Sequence, residues 1–252
     1  AFDTGAGDGS AMRARLEAGF DRWIDIKGMD DAEAAARIAG EEIDILVNLS
    51  GYVGEGGMGV FARRPAPVQV NYLGFPGTLG APYIDYIVAD PVVIPPEDVQ
   101  YYTEQVAWLP HAYQVNDDRR AVADESFSRA TCGLPADGFV FCNFNNAYKF
   151  TPDSFAAWMR ILAAVPGSVL WLLEANVFAT ANLRAAARAQ GVAPERLVFA
   201  PHLPPERHLA RLKLADLFLD NFPYNAHTTA SDALWAGVPL LTRRGNAFAG
   251  RV

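Results

Sequence analysis

With 252 residues, 51% of them hydrophobic and 20% charged, the chain can bury cores for two domains of ordinary size, which excludes a disordered tail. Twenty-nine acidic residues against 21 basic ones leave a formal charge of −8, so the clustered Lys and Arg needed to hold a nucleic-acid backbone are missing and nucleic acid is excluded as the main partner. No apolar run approaches the roughly 20 residues of a membrane span and no basic-then-apolar leader is present, so no membrane partner is expected. The two cysteines, Cys132 and Cys142, form neither a disulfide framework nor a metal-ligand spacing; they read as small core residues of a reducing compartment, and a cytoplasmic location is expected. A first residue Ala1 and an end at Val252, shortly after an expected strand, suggest a fragment.

The first half alternates helical and extended patterns: a helix near 11–20, a short strand at 23–26, an Ala-rich helix near 30–40 and a strong strand at 43–49. Such alternation predicts a parallel sheet with crossover helices. The stretch GYVGEGG, 51–57, follows that strand at its carboxyl end, the ligand side of an open α/β sheet. It lacks both the Lys-Ser/Thr ending and the GxGxxG register, so it is neither a P-loop nor a dinucleotide fingerprint and reads as a flexible loop. A strand at 67–73 runs into GFPGTLG, 74–80, whose glycines allow close approach by a ligand. Further strands are expected at 84–89 and 105–109, and His111 after the second reads as structural.

The polar stretch QVNDDRRAVADESFS, 114–128, has no apolar periodicity and marks the boundary between domains 1–122 and 123–252. Beyond it, strands at 139–144, 169–173, 197–199, one ending at 219 and one at 238–242 alternate with helices. The first helix starts at Pro152 with Thr151 as N-cap and carries Phe155, Trp158, Ile161 and Leu162 on one face. The others lie near 177–190, ending at Gly191, then at 205–213 and 228–236.

Polar groups gather in three strand-end loops. In NFPYNAHTTASDALWAG, 221–237, His227, Thr228 and Thr229 stand at a helix N-terminus, where free N–H groups and the dipole favour an anion and two hydroxyls and an imidazole add donors. Asp232, four residues after Thr228, lies roughly on the same face and can accept hydrogen bonds from a ribose. The pair Thr228 and Asp232 is explained equally by ordinary helix-start preference. Lys149, after the Asn-rich CNFNNAYK, reads either as a charge beside a diphosphate leaving group or as a solvated lysine. His208 follows Pro204-Pro205 and either stacks on a base or merely sits near a helix start.

Taken together, GFPGTLGAPYIDYI, CNFNNAYKFTP, PGSVLWLLE and NAHTTASDALWAGVP resemble the catalytic region of the O-linked N-acetylglucosamine transferase family, glycosyltransferase family 41, particularly its bacterial, SPINDLY-like members, over nearly the whole chain. The resemblance implies an α/β fold of the GT-B type: two Rossmann-like, doubly wound domains facing each other across a cleft, truncated at both ends, with tetratricopeptide repeats upstream. It implies inverting transfer of N-acetylglucosamine from UDP-GlcNAc to Ser or Thr of a protein or peptide acceptor, with no cofactor and no metal required; the lack of an Asp-x-Asp in the sequence agrees. It implies His227, Thr228 and Thr229 as diphosphate contacts, Asp232 at the ribose, His208 at the base and Lys149 as the leaving-group stabiliser. Asn146 joins the nucleotide-sugar site, Leu73, Gly74 and Pro76 line the sugar pocket, and Tyr52 and Thr78 stand on the acceptor side of the cleft.

The sequence departs from the family pattern in places. Gly57 stands where an Arg is expected, Gly54 and Pro205 where the animal enzymes carry Lys, and Asn146 where they carry Gln. An upstream active-centre segment and C-terminal helices fall outside residues 1–252, so sugar and acceptor handling are implied less directly than nucleotide binding. GDP-fucose as donor, or UDP-glucose with an Asn acceptor, is the near alternative, decided by the base pocket around His208 and Pro205. A nucleotide-binding scaffold without turnover is the alternative of another class, and a P-loop kinase or ATPase is disfavoured by the missing Lys-Ser/Thr ending.

Overall fold

In the computed structural model, which describes residues 1–54 and 57–252, the alternating pattern becomes two units built on parallel sheets. Glu55 and Gly56, in the middle of the loop expected at 51–57, lie outside the described residues.

In the unit Ala1–Gln114, β1 (Phe2–Asp3) pairs with β2 (Ile24–Asp25), and β3 (Ile45–Asn48), β4 (Val68–Asn71), β5 (Tyr86–Ala89) and β6 (Gln105–Trp108) form a sheet in chain order. Helix α1 (Ala11–Ala18) opens at Ser10, whose Oγ accepts from the Arg13 N–H. Helix α2 (Asp31–Ala39) opens on a capping box: Asp30 Oδ1 accepts from Glu33 N–H at 2.9 Å, and the Glu33 carboxylate accepts from Asp30 N–H at 3.0 Å. Its Ala34, Ala35 and Ile38 pack with Ile26, Leu46, Val60 and Phe61. A short helix α3 (Met58–Ala62), absent from the sequence expectation, follows Gly57, whose φ of 61° is left-handed, a conformation glycine adopts readily.

In the unit Val115–Val252 the strands are β7 (Val140–Asn143), β8 (Val169–Leu173), β9 (Leu197–Ala200), β10 (Leu217–Leu219) and β11 (Leu240–Leu241), all parallel in the order β11-β10-β7-β8-β9. The chain lays down three strands in one direction, then crosses back to place β10 and β11 on the other side of β7. This is a doubly wound sheet with its switch point between β7 and β10. Crossovers run through α4 (Pro152–Ala164), α5 (Val177–Ala189), α6 (Pro205–Leu212) and α7 (Thr228–Trp235). The strand runs are continuously apolar because both faces are covered. Phe141, Leu170, Leu172 and Leu219 join Phe155, Trp158, Met159 and Leu162 of α4 on one side, while Cys142, Trp171 and Phe218 join Ala226 and Ala233 on the other. Ile161, expected on the α4 core face, is only partly buried, and Met159 holds that place.

The two units divide at Gln114/Val115, eight residues before the 122/123 boundary read from the sequence. Segment 115–122 lies with the second unit because its polar side chains find partners there: Arg120 pairs with Asp232, and just beyond it Ala123 N–H donates to the Glu206 carbonyl of α6. No helix of the described residues is long and apolar enough to cross a membrane.

Candidate active site

Asparagines at the end of an apolar strand are costly unless their polar atoms are paired, and at the switch point they pair with one another, with Asn221 Nδ2 left without a hydrogen-bond partner among the described residues. Asn143, the last residue of β7, donates through Nδ2 to the Leu219 carbonyl at 2.7 Å and to Asn221 Oδ1 at 2.5 Å. The backbone carbonyl fixes which way that amide faces, so Asn143 Oδ1 accepts from the Asn145 backbone N–H at 2.9 Å and from Asn145 Nδ2 at 3.2 Å. Asn145 Oδ1 is thereby turned toward α7, where it accepts from Thr229 Oγ1 at 2.8 Å. The ladder ties the carboxyl ends of β7 and β10 to the start of α7. Sequence reading singled out only the exposed Asn146 in this segment. The signal for the rest was polar residues closing two buried strands.

The start of α7 differs in detail from expectation. The first intrahelical bonds are those of Ala230 and Ser231 N–H to the His227 carbonyl, so the amides of Thr228 and Thr229 stand ahead of them, as anion donors would. The Thr229 hydroxyl proton is engaged by Asn145, so the side chain presents lone pairs rather than a donor. His227 Nε2 lies 3.1 Å from the Ala249 carbonyl and must carry the proton there. Burial lowers the His227 pKa, the Ala249 carbonyl opposes that, and the Lys149 charge adds to the lowering. The neutral ring therefore leaves a lone pair on Nδ1. What remains for an anion is the two amides, the exposed Thr228 and Lys149.

Lys149 closes a single 3-10 turn (Ala147–Lys149) after β7, and its N–H donates to the Asn146 carbonyl at 3.0 Å. Its Nζ lies 4.2 Å from the Tyr224 ring centre, and the same ring stacks on His227 at 5.0 Å and 23°. Tyr224 thus joins the cation to the head of α7. Burial lowers the Lys149 pKa, and the nearby Asp220 carboxylate opposes the shift. Asp220 itself accepts from the N–H groups of Asn221 and Ala226 and from Thr242 Oγ1, while its burial raises its pKa.

One turn into α7, Asp232 forms an ion pair with Arg120, a residue the sequence reading passed over. His208, in the second turn of α6, sits edge-on to Phe144 at 4.7 Å and 67°, and its Nδ1 accepts from Arg211 Nε at 3.2 Å. Burial first, then the Arg211 charge, pushes the His208 pKa down to about 4. The ring is neutral at physiological pH. Arg211 is itself buried, donating through Nη1 to the Pro201 carbonyl at 2.7 Å. Pro205 is the first residue of α6, a place that suits its fixed φ and missing N–H.

Leu73, Gly74, Pro76, Tyr52 and Thr78 all belong to the first unit. Gly74 is required by the chain itself: a Cβ there would stand 1.9 Å from the Leu49 carbonyl oxygen, so the glycine lets the Leu49 backbone pass close by. Leu73 before it takes a left-handed φ of 70°, and Pro76 is partly buried in the same turn. Tyr52 donates to the Leu79 carbonyl at 2.6 Å and Thr78 Oγ1 to Glu104 Oε2 at 2.5 Å, so both hydroxyl protons are engaged within the unit. Among the described residues no group of three or more His, Cys, Asp or Glu side chains gathers to hold a metal ion.

The family model described as Glycosyl transferase family 41 matches residues 1–126 and 125–252. The chain is 40% identical over 252 residues to the "Probable UDP-N-acetylglucosamine--peptide N-acetylglucosaminyltransferase SEC" of Arabidopsis thaliana, covering 98% of this chain and 26% of that protein. It is 34% identical over 239 residues to the "Probable UDP-N-acetylglucosamine--peptide N-acetylglucosaminyltransferase SPINDLY" of Oryza sativa subsp. japonica, covering 91% and 25%. A solved structure of a mutant O-GlcNAc transferase from Thermobaculum terrenum is similar with a TM-score of 0.87 and 34% identity, covering 99% of this chain and 47% of that one. The chain thus spans about a quarter of the length of these two curated relatives. Parallel sheets within an α/β fold, together with this structural likeness, give the GT-B type. The chain belongs to glycosyl transferase family 41.

Proposed function

We propose that the protein is an inverting, metal-independent protein O-glycosyltransferase that moves N-acetylglucosamine from UDP-GlcNAc to Ser or Thr of protein or peptide acceptors. The observation that carries the reading is the link of Lys149, through the Tyr224 ring, to the head of α7, with its open amides and, one turn on, the carboxylate of Asp232. Its support is 40% identity to a protein named for this transfer. In this reading the UDP diphosphate lies at the head of α7, its ribose at Asp232 and its base beside His208 and Arg211. As the acceptor hydroxyl attacks the anomeric carbon and gives up its proton to solvent, the bond to the diphosphate oxygen breaks, and Lys149 and the α7 amides stabilise the departing UDP, a preorganised electrostatic effect. Asn146 and the turn holding Leu73, Gly74 and Pro76 take the sugar, and Tyr52 and Thr78 the acceptor. We place the protein among the bacterial, SPINDLY-like members, in the cytoplasm and with tetratricopeptide repeats upstream, as the resemblance implies.

Calorimetric titration of UDP and GDP into the chain, with release of UDP from UDP-GlcNAc in the presence of a Ser/Thr peptide, tests the proposal. Tighter binding of UDP than GDP, with peptide-dependent release, is expected. Preference for GDP would assign a fucose donor, and transfer from UDP-glucose to Asn the glucosyl alternative. UDP binding without any turnover would leave a scaffold, and no binding of either nucleotide by the folded chain overturns the assignment.

A further inference from the structure

We infer that Arg120 is the positioning residue that fixes the Asp232 carboxylate for the ribose of a bound nucleotide. The inference rests on the reading of Asp232 given above. Arg120 lies in the polar segment after the unit boundary, which packs along α7: Asn116, Asp117 and Arg120 face Ser231, Leu234 and Trp235 across a cavity of about 280 Å³. Within that contact Arg120 Nη1 donates to Asp232 Oδ1. The carboxylate and guanidinium side chains are 17% and 26% exposed, so water screens the pair only in part.

A carboxylate on a helix surface samples several rotamers, and binding a sugar hydroxyl would have to freeze one of them. The guanidinium holds Oδ1 beforehand and leaves Oδ2 as the acceptor, so that ordering cost is met before the ligand arrives. The planar fork of Arg suits the task better than the point charge of Lys.

The test is calorimetric titration of UDP and 2′,3′-dideoxy-UDP into the wild-type chain and the Asp232→Ala, Arg120→Ala and Arg120→Lys variants, each shown to be folded by its melting curve. Wild type should prefer the ribose form by about 10- to 100-fold, the range of a hydrogen bond to a charged acceptor. Asp232→Ala should abolish the preference. Arg120→Ala should cut it to below about 3-fold while changing dideoxy-UDP affinity by less than about 3-fold, and Arg120→Lys should restore part of it.

Equal weakening of both nucleotides in Arg120→Ala would mean that Arg120 acts only by charge or by general stability, which overturns the positioning role. A preference kept in Arg120→Ala but lost in Asp232→Ala overturns the inference and leaves the Asp232 reading intact. A preference kept in Asp232→Ala overturns both, as does failure of the folded wild type to bind UDP. If Arg120→Ala does not fold, Arg120→Lys decides, and an undiminished preference there overturns the inference.

Discussion

His208 should make the second unit lose stability as pH falls through a range in which an ordinary histidine would be neutral to folding. Its Nδ1 must keep a lone pair to accept from Arg211 Nε, and burial with the Arg211 charge holds its pKa at about 4. In the unfolded chain it returns to about 6.5. Between those values the unfolded state binds a proton that the folded state refuses, so the free energy of unfolding falls with falling pH and levels off below about 4. The difference in protonation between pH 8 and pH 5 gives a loss of about 2 kcal/mol at most. Urea unfolding at the two pH values, followed by fluorescence of the buried Trp158 and Trp171, measures it in wild type and His208→Gln. Gln can still accept from Arg211 but does not titrate. Carboxylates that titrate in both proteins cancel in the comparison, so wild type should lose about 2 kcal/mol more than the variant. Equal pH dependence in the two proteins, or a His208 ring signal titrating near its unfolded value, would refute the reasoning.

Other expectations address the chemistry and the scaffold. Lys149→Ala should lower the rate of UDP release by about 10²- to 10³-fold while weakening UDP binding by less than about tenfold; equal losses in steady-state turnover and calorimetric affinity would place its contribution in ground-state binding. Asn145→Ala removes the acceptor of the Thr229 hydroxyl and one donor to Asn143, and should destabilise the second unit by about 1–3 kcal/mol in urea. Unchanged stability would show that the ladder holds nothing in place. Gly74→Ala drives a Cβ into the Leu49 carbonyl and should destabilise the first unit by more than about 3 kcal/mol, a prediction that a wild-type melting curve would overturn.

Much of the fold was legible because its signals are local. Thr151 followed by Pro152 predicts the start of α4, and Thr151 Oγ1 does accept from Ser154 N–H at 3.2 Å. The apolar run at 169–173 coincides with β8. The helix α3 was missed because five residues after a glycine-rich loop carry no measurable periodicity. At the site, His227, Thr228, Thr229 and Asp232 were legible as the head and first turns of one helix because strand, loop and helix start are contiguous in sequence. Their hydrogen-bonding roles were not, since the proton of Thr229 is claimed by Asn145, 84 residues away.

By itself the sequence determined two α/β units with parallel strands, the Thr151 cap of α4 and the place of a helix start suited to an anion, because period, capping and turn chemistry are written within a few residues of one another. The tertiary structure decided which side of β7 receives β10. That choice places Leu219 and Asn221 against Asn143 across 76 and 78 residues, and Tyr224 under Lys149. It also decided that Arg120 meets Asp232 across 112 residues. A side chain's role in such contacts depends on which strand ends and helix faces are brought together, and no local pattern carries that information.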